Sequence, residues 1–441
     1  MKRLLSLLLC AVLALFCATT AQAAGVSITL TASEYALHYA FDAGAQDPFV
    51  ILEYATPAEK GWMMLYSADG HFEGDVSLTY SGAGGKTSVA LTSARTTGSI
   101  GKASTTLPKA ADYQKPTGKS NAKVTDFMLT ETPEGFHYAF NAIGTDYMLL
   151  YWRSKEQTVT QPVYPDENGH YEGDVVSELT FARTQFTVQV KSGSGSMKKE
   201  ATVRKGYQAP EAPQRQEGRL SGVTVCIDAG HQENGRFVNE PIGPGLSGST
   251  SGKGGMAQGT KTNRRESIVC LEIGMLLRDE LLRQGANVVM TREDQTTFHT
   301  NIERCEIAEA GGAQIMLRLH CNNSSNRSKR GIQVYGPLNS DYAKAVADAD
   351  TYREMGQKLL DAMKTRVGMT LANSTGMVRL NDNYVGNNWA KMMCFLVEMG
   401  YLSNPAEEYL LVTPVYQQWL AEGMADGVYE IAVARGWVQA Q

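Results

Sequence analysis

Beyond its first eighteen residues, the chain has no apolar run of the roughly 20 residues that a membrane-spanning helix needs. It has no CxxC pair and no block of like charge, and only seven of its 441 residues are histidine. The first absence leaves nothing to hold the mature protein in a bilayer. The second argues against a cysteine metal cluster. The third removes the basic stripe of a nucleic-acid binder, because 41 basic residues face 46 acidic ones.

The N-terminus supplies the one long apolar segment. Met1-Lys2-Arg3 is a short basic head, Leu4 to Ala18 an apolar stretch, and Ala21-Gln22-Ala23 a small-residue end. Together they predict a secretion signal over residues 1–23, removed on export. A membrane anchor fits less well because the stretch is short, and a lipoprotein fits less well because bulky Phe16 precedes Cys17. The expected location is therefore outside the cell or in the wall, or the periplasm of a host with an outer membrane. Removing those 23 residues from the 441 leaves 418, more than one ordinary core holds, and predicts two to four domains. Cys10 and Cys17 leave with the signal. Cys226, Cys270, Cys305, Cys321 and Cys394 remain, an odd set lying in apolar patterns, which predicts buried free thiols rather than a disulfide scaffold.

The N-terminal half repeats itself. His38-Tyr39-Ala40-Phe41 returns as His137-Tyr138-Ala139-Phe140, and Gly70-His71-Phe72-Glu73-Gly74-Asp75 as Gly169-His170-Tyr171-Glu172-Gly173-Asp174. Both matches are offset by 99 residues (38 to 137 and 71 to 170), which marks a tandem duplication. Short alternating runs between turn signals predict two small antiparallel β-sandwich-like repeats of about 85 residues each, at 24–106 and 120–206. Their histidines stand beside aromatic residues without a second ligand at a suitable spacing, so a structural role is expected. The repeats are expected to hold the protein near a surface or partner, either cell wall or another protein.

A polar, Pro-containing stretch within 207–219 reads as an extended linker. From residue 220 to 441 the pattern changes to alternating strands and helices. Strands are expected at 223–227, 287–290, 314–319, 331–335 and 393–397. Helices are expected at 264–284, 301–309, 342–366 and 414–434. This alternation predicts an α/β domain with a mixed, mostly parallel sheet flanked by helices.

Three polar residues sit at the ends of those strands. His231 follows the first, His320 ends Ile315-Met316-Leu317-Arg318-Leu319, and Glu398 closes Phe395-Leu396-Val397. Ligands bind beyond the carboxyl ends of strands in such sheets, so the three can converge. Asn263-Arg264-Arg265-Glu266 fits a capping box at the head of the first helix, so spacing alone favours a cap role for Glu266. His299, in a Thr-rich loop, reads as surface. Two histidines and a carboxylate can hold a catalytic zinc, with a separate carboxylate to move protons.

This half of the chain resembles the zinc-dependent N-acetylmuramoyl-L-alanine amidases of bacterial autolysin type. The resemblance rests on an ordered set: Val225-Cys226-Ile227-Asp228-Ala229-Gly230-His231, Glu266, Val288 to Arg292 with Asp294, Arg304 and Ala308, Leu317 to Asn322, and Val397 to Asn404. It implies that His231, Glu266 and His320 bind one Zn2+ and that Glu398 is the catalytic base and acid, which turns Glu266 from cap to ligand. The implied substrate is peptidoglycan, cut between the lactyl group of N-acetylmuramic acid and L-alanine during wall turnover or cell separation. Two positions depart from the family pattern: Ala229 stands where Pro is common, and Gln232 where Gly is common. A Gly- and Ser-rich insert, Gly243 to Gly259, is either a flexible loop or a border of the cleft.

Overall fold

The computed structural model describes residues 19–440 apart from 23–25, 79, 97, 112, 114–122, 133–134, 144, 146, 155–156, 177–184, 193–194, 205–209, 233–237, 251–254, 263 and 369–376. The chain divides into two compact units, Met1–Gly206 and Tyr207–Gln441. No described helix is long and apolar enough to cross a membrane. Most of the expected signal segment lies outside the described residues.

The first unit is built of antiparallel strands. In order they are β1 (Thr19–Gln22), β2 (Ser27–Ala32), β3 (Ala36–Asp42), β4 (Phe49–Ala55), β5 (Glu59–Tyr66), β6 (His71–Ser77), β7 (Gly85–Ser93) and β8 (Ser99–Leu107). They continue as β9 (Val124–Thr132), β10 (Gly135–Ala142), β11 (Met148–Arg153), β12 (Gln157–Val163), β13 (His170–Val176), β14 (Gln185–Lys191) and β15 (Met197–Arg204). Two smaller sheets, β1-β2-β3-β6 and β13-β10-β9, accompany one eight-stranded sheet, β15-β14-β11-β12-β5-β4-β7-β8.

Alternation decides which side chains enter the two cores. Leu37, Tyr39 and Phe41 point inward from β3, and Phe136, Tyr138 and Phe140 from β10. Phe41 stacks on Phe72 at 4.9 Å and Phe140 on Tyr171 at 4.6 Å, at matched positions of the repeat. The repeated glycines have a steric reason. A Cβ at Gly74 or Gly173 would lie 2.8 Å from the hydroxyl of Tyr39 or Tyr138 on the neighbouring strand. The copies are not separate sheets, because β5 pairs with β12 through Glu59–Val159, Lys60–Thr158 and Gly61–Gln157.

In the second unit the described part of the stretch expected as a linker is tied to the helix Glu266–Arg283. Pro210 O accepts from Arg278 Nη2 at 2.9 Å, and the Gln216 amide donates to Leu282 O at 3.0 Å. Next come β16 (Thr224–Ala229), the small hairpin β17 (Glu240–Pro241) and β18 (Ser249–Thr250), α1 (Glu266–Arg283), β19 (Asn287–Met290), α2 (Asn301–Ala310) and β20 (Ile315–Asn322). The rest is β21 (Gln333–Gly336), α3 (Asp341–Val346), α4 (Ala349–Val367), β22 (Met377–Leu380), α5 (Val385–Trp389), β23 (Met393–Tyr401), α6 (Glu407–Leu410) and α7 (Pro414–Ala434).

The sheet order is β19-β16-β20-β23-β21-β22, and only the β21–β23 pairing is antiparallel. The central strands are buried on both faces and mostly apolar, as a covered parallel sheet requires, with Asp228 and Arg318 the charged exceptions before the strand ends. Cys226, Met316 and Cys394 meet Cys305 and Ala308 of α2 on one face. On the other, Gly274 of α1 lies against Ile227, Ala229 and Leu319. All five expected thiols are free and buried. The helix expected at 342–366 is two helices, because Ala347 is extended and the Asp348 side chain accepts from the Thr351 amide at 2.7 Å as a new cap.

Candidate active site

Parallel β16, β20 and β23 lie side by side, so their carboxyl ends open on one edge. His320 pairs in register with Glu398, and His231 stands two residues past the end of β16. Gly230 makes the turn possible. Its amide donates to Leu319 O at 2.9 Å, and a Cβ there would sit 2.4 Å from that oxygen and 2.6 Å from the His320 ring. His231 follows in the left-handed region at φ +56°, a sparsely used conformation that costs about 1–3 kcal/mol and tends to mark functional sites.

Glu266 is the first residue of α1, and the cap-box expectation fails. The N-cap is Arg265, whose side chain does not cap the helix, and Asn263 lies outside the described residues. The Glu266 carboxylate turns into the sheet edge instead. Oε2 accepts from the Ala257 amide at 2.7 Å and faces His231 Nε2 at 3.1 Å. Oε1 accepts from the Cys321 amide at 3.0 Å and faces His320 Nδ1 at 2.9 Å. One donor atom from each of His231, Glu266 and His320 lies within 4.8 Å of the others.

Burial would raise the Glu266 pKa, but the two imidazoles outweigh it and hold the carboxyl well below the ordinary range. Burial lowers His320 against the pull of Glu266. Glu398 is the contrasting acid. Its Oε2 is closed off from solvent and has no hydrogen-bond partner among the described residues, and burial, reinforced by the Glu266 charge, pushes its pKa well up.

A cavity of about 430 Å³ brings His231, Glu266, His320 and Glu398 together. Val238, Glu240, Thr250, Gly255 and Ala257 line it too, so the described part of the Gly- and Ser-rich segment borders the cleft. Glu240 latches the hairpin to α2 by accepting from the Ile302 amide at 2.9 Å and Asn301 Nδ2 at 2.7 Å. His299, expected at the surface, also lines the cavity.

Sequence reasoning assigned no role to Asp228 and Tyr384. Asp228 is fully buried between Arg304 and Arg318, whose charges overcome burial and keep it ionised. Tyr384 lines the cleft after Asn381-Asp382-Asn383, a polar turn that was the only available signal. The far end of the Glu398 motif is a brace. Asn404 donates to Arg327 O and Lys329 O and accepts from the Ala406 and Glu407 amides.

The repeat histidines form a different arrangement. His71 Nδ1 meets Asp42 at 2.7 Å and His38 Nδ1 meets Asp75 at 3.1 Å, while Glu73 lies between their Nε2 atoms at 3.7 and 3.5 Å. His170, His137 and Glu172 repeat the pattern, with Asn141 replacing the acid at one end and Asp174 at the other.

Residues 225–430 match the family model described as N-acetylmuramoyl-L-alanine amidase. The germination-specific N-acetylmuramoyl-L-alanine amidase of Bacillus subtilis is 26% identical over 231 residues, covering 49% of this chain and 83% of that protein. The probable cell wall amidase LytH of Staphylococcus aureus is 27% identical over 218 residues, covering 48% of this chain and 60% of that protein. Among solved structures, an N-acetylmuramoyl-L-alanine amidase from Clostridium difficile 630 aligns at 24% identity and TM-score 0.38, over 48% of this chain and 96% of its own. The C-terminal half of the chain, residues 225–430, is thus a domain of the N-acetylmuramoyl-L-alanine amidase family, and its relatives are bacterial cell wall amidases.

Proposed function

We propose that this domain hydrolyses the amide between the lactyl group of N-acetylmuramic acid and L-alanine in peptidoglycan, with one Zn2+ held by His231, Glu266 and His320 and with Glu398 moving the proton. One observation carries the reading: three metal-type donors lie within 4.8 Å of one another in the cavity that also holds the unpartnered Glu398 carboxylate oxygen. Two imidazole nitrogens and a carboxylate oxygen are a donor set zinc takes when one position is left open for chemistry. The Ala257 and Cys321 amides fix the carboxylate, as outer partners of metal ligands do. Zinc bound there would polarise the scissile carbonyl and ease ionisation of the attacking water.

Glu398 supplies the proton handling. Its raised affinity for a proton suits a base that takes one from water and returns it as an acid to the departing L-alanine amine. The lining residues Val238, Glu240, Thr250, Gly255 and Ala257 would shape what reaches the site.

For the rest of the chain, we read 1–23 as an export signal, 24–106 and 120–206 as tandem sandwich-like repeats, 207–219 as the connection and 220–441 as the catalytic domain. Matched stacking and histidine–acid pairs at the 99-residue offset support the repeat reading. The repeats would hold wall or a protein partner, and the enzyme would act in wall turnover or cell separation outside the membrane.

The test is product analysis of purified peptidoglycan digested by the protein, with and without a zinc chelator. Chelator-sensitive release of stem peptides that begin with a free L-alanine is the expected result. Shortened peptides still joined to sugar would move the cut into the stem peptide. No release from zinc-loaded protein would leave a binding protein.

A further inference from the structure

His231 is reached through three consecutive carbonyls, and two buried arginines collect all three. Arg292 donates from Nε to Ala229 O at 2.8 Å and from Nη2 to Gly230 O at 2.8 Å. Arg304 donates from Nη1 to Ala229 O at 3.0 Å and from Nη2 to His231 O at 3.2 Å. The same Arg304 Nη2 also donates to the Gln232 side-chain oxygen. These guanidiniums are 3% and 4% exposed and are themselves pinned, Arg304 by Asp228 and Arg292 by Asp294 O at 2.9 Å.

One further bond gives the arrangement its meaning. Arg292 Nη2 also donates to Ser267 O at 2.7 Å. A single nitrogen therefore joins the residue before His231 to the residue after Glu266. The planar fork fixes the separation of two backbone segments that are far apart in sequence, which a lysine ammonium could not do in the same way. The backbone of His231 is in the left-handed region, so it needs such outside support.

We propose that Arg292, Arg304 and Gln232 form a cradle that presets His231 against Glu266 for the metal; all three are positioning residues, and the proposal rests on the metal assignment above. Gln232 departs from the pattern of the resembled family, which commonly has glycine there. Its side chain gives Arg304 a second hold on the loop that glycine could not offer.

The experiment is zinc affinity of the full chain by competition with a chromophoric chelator, paired with melting of the chelator-treated protein. Arg292→Lys and Arg304→Lys should weaken zinc binding by about 10–100-fold, the usual effect of losing an outer partner of a metal ligand. Gln232→Ala should weaken it less while leaving the metal-free melting temperature at the parent's value, because Gln232 is only half-buried and Asp228 still holds Arg304. Glu398→Gln is the control that keeps zinc. Parent-like affinity in all three variants overturns the cradle, as does a loss of affinity that only tracks a loss of metal-free stability. A parent that takes up no zinc overturns the metal assignment itself, and the cradle with it.

Discussion

The two units use the same residue types to opposite ends. In the first, two histidines flank a glutamate on an open sheet face, with side chains 38%, 50% and 59% exposed. In the second, two histidines flank a glutamate at the ends of parallel strands, with side chains 23%, 15% and 4% exposed. On the open face, water screens each pair, and the histidines reach toward Glu73 from opposite sides. In the cleft, backbone amides hold Glu266, and both rings converge on it at 2.9 and 3.1 Å. Convergence and burial, rather than residue type, separate an ion-pair ladder from a candidate metal centre.

The largest test of that contrast is Glu398→Gln. It should keep zinc and lose about 10²–10⁴-fold in the rate of stem-peptide release, the span expected of a lost acid–base group. His231→Ala should lose the metal instead. Equal zinc loss in both variants, measured by elemental analysis, would undo the division of roles.

A smaller effect concerns burial alone. Glu407 accepts from the Tyr401 and Gly331 amides, yet burial pushes its pKa up from 4.5 to about 7. The folded state therefore holds a proton that the unfolded state releases between those values. Stability of the metal-free protein should fall as pH rises from about 4.5 to about 7, by about 3 kcal/mol from this group. Urea unfolding across that range should show the slope, and Glu407→Gln should flatten it. An unchanged slope in the variant would show that Glu407 is not its source.

The smallest expected effect lies on the open face. His38→Ala and His71→Ala should leave zinc content and hydrolysis at the parent's level and barely move the melting temperature, since exposed pairs contribute little. Loss of a bound metal equivalent in either variant would erase the contrast between the units.

Much of the second unit could be read from its residues. The runs before His320 and Glu398 are apolar apart from Arg318, as strands covered on both faces tend to be, and their polar ends stand out for that reason. Glu266 could not be read this way. The inward turn of its carboxylate depends on the Ala257 and Cys321 amides, and its position at a helix head imitates a cap. The break at Ala347 was hidden by helix-favouring neighbours on both sides, and β22 is too short to show a period. In the first unit the duplication was visible in the sequence. The β5–β12 pairing was not, because contact between two edges leaves no spacing signature.

That pairing has a mechanical consequence. Tyr80 from the first copy sets its ring 5.8 Å from Trp152 in the second, and its hydroxyl donates to Val176 O, so side chains reinforce the joined edges. The copies cannot swing apart as beads on a string would. Matched positions on the two copies are therefore held at a fixed interval, like two teeth of one comb. Were the copies to bind a repetitive polymer, one of matching periodicity would meet both at once, while a mismatched one would engage only a single tooth.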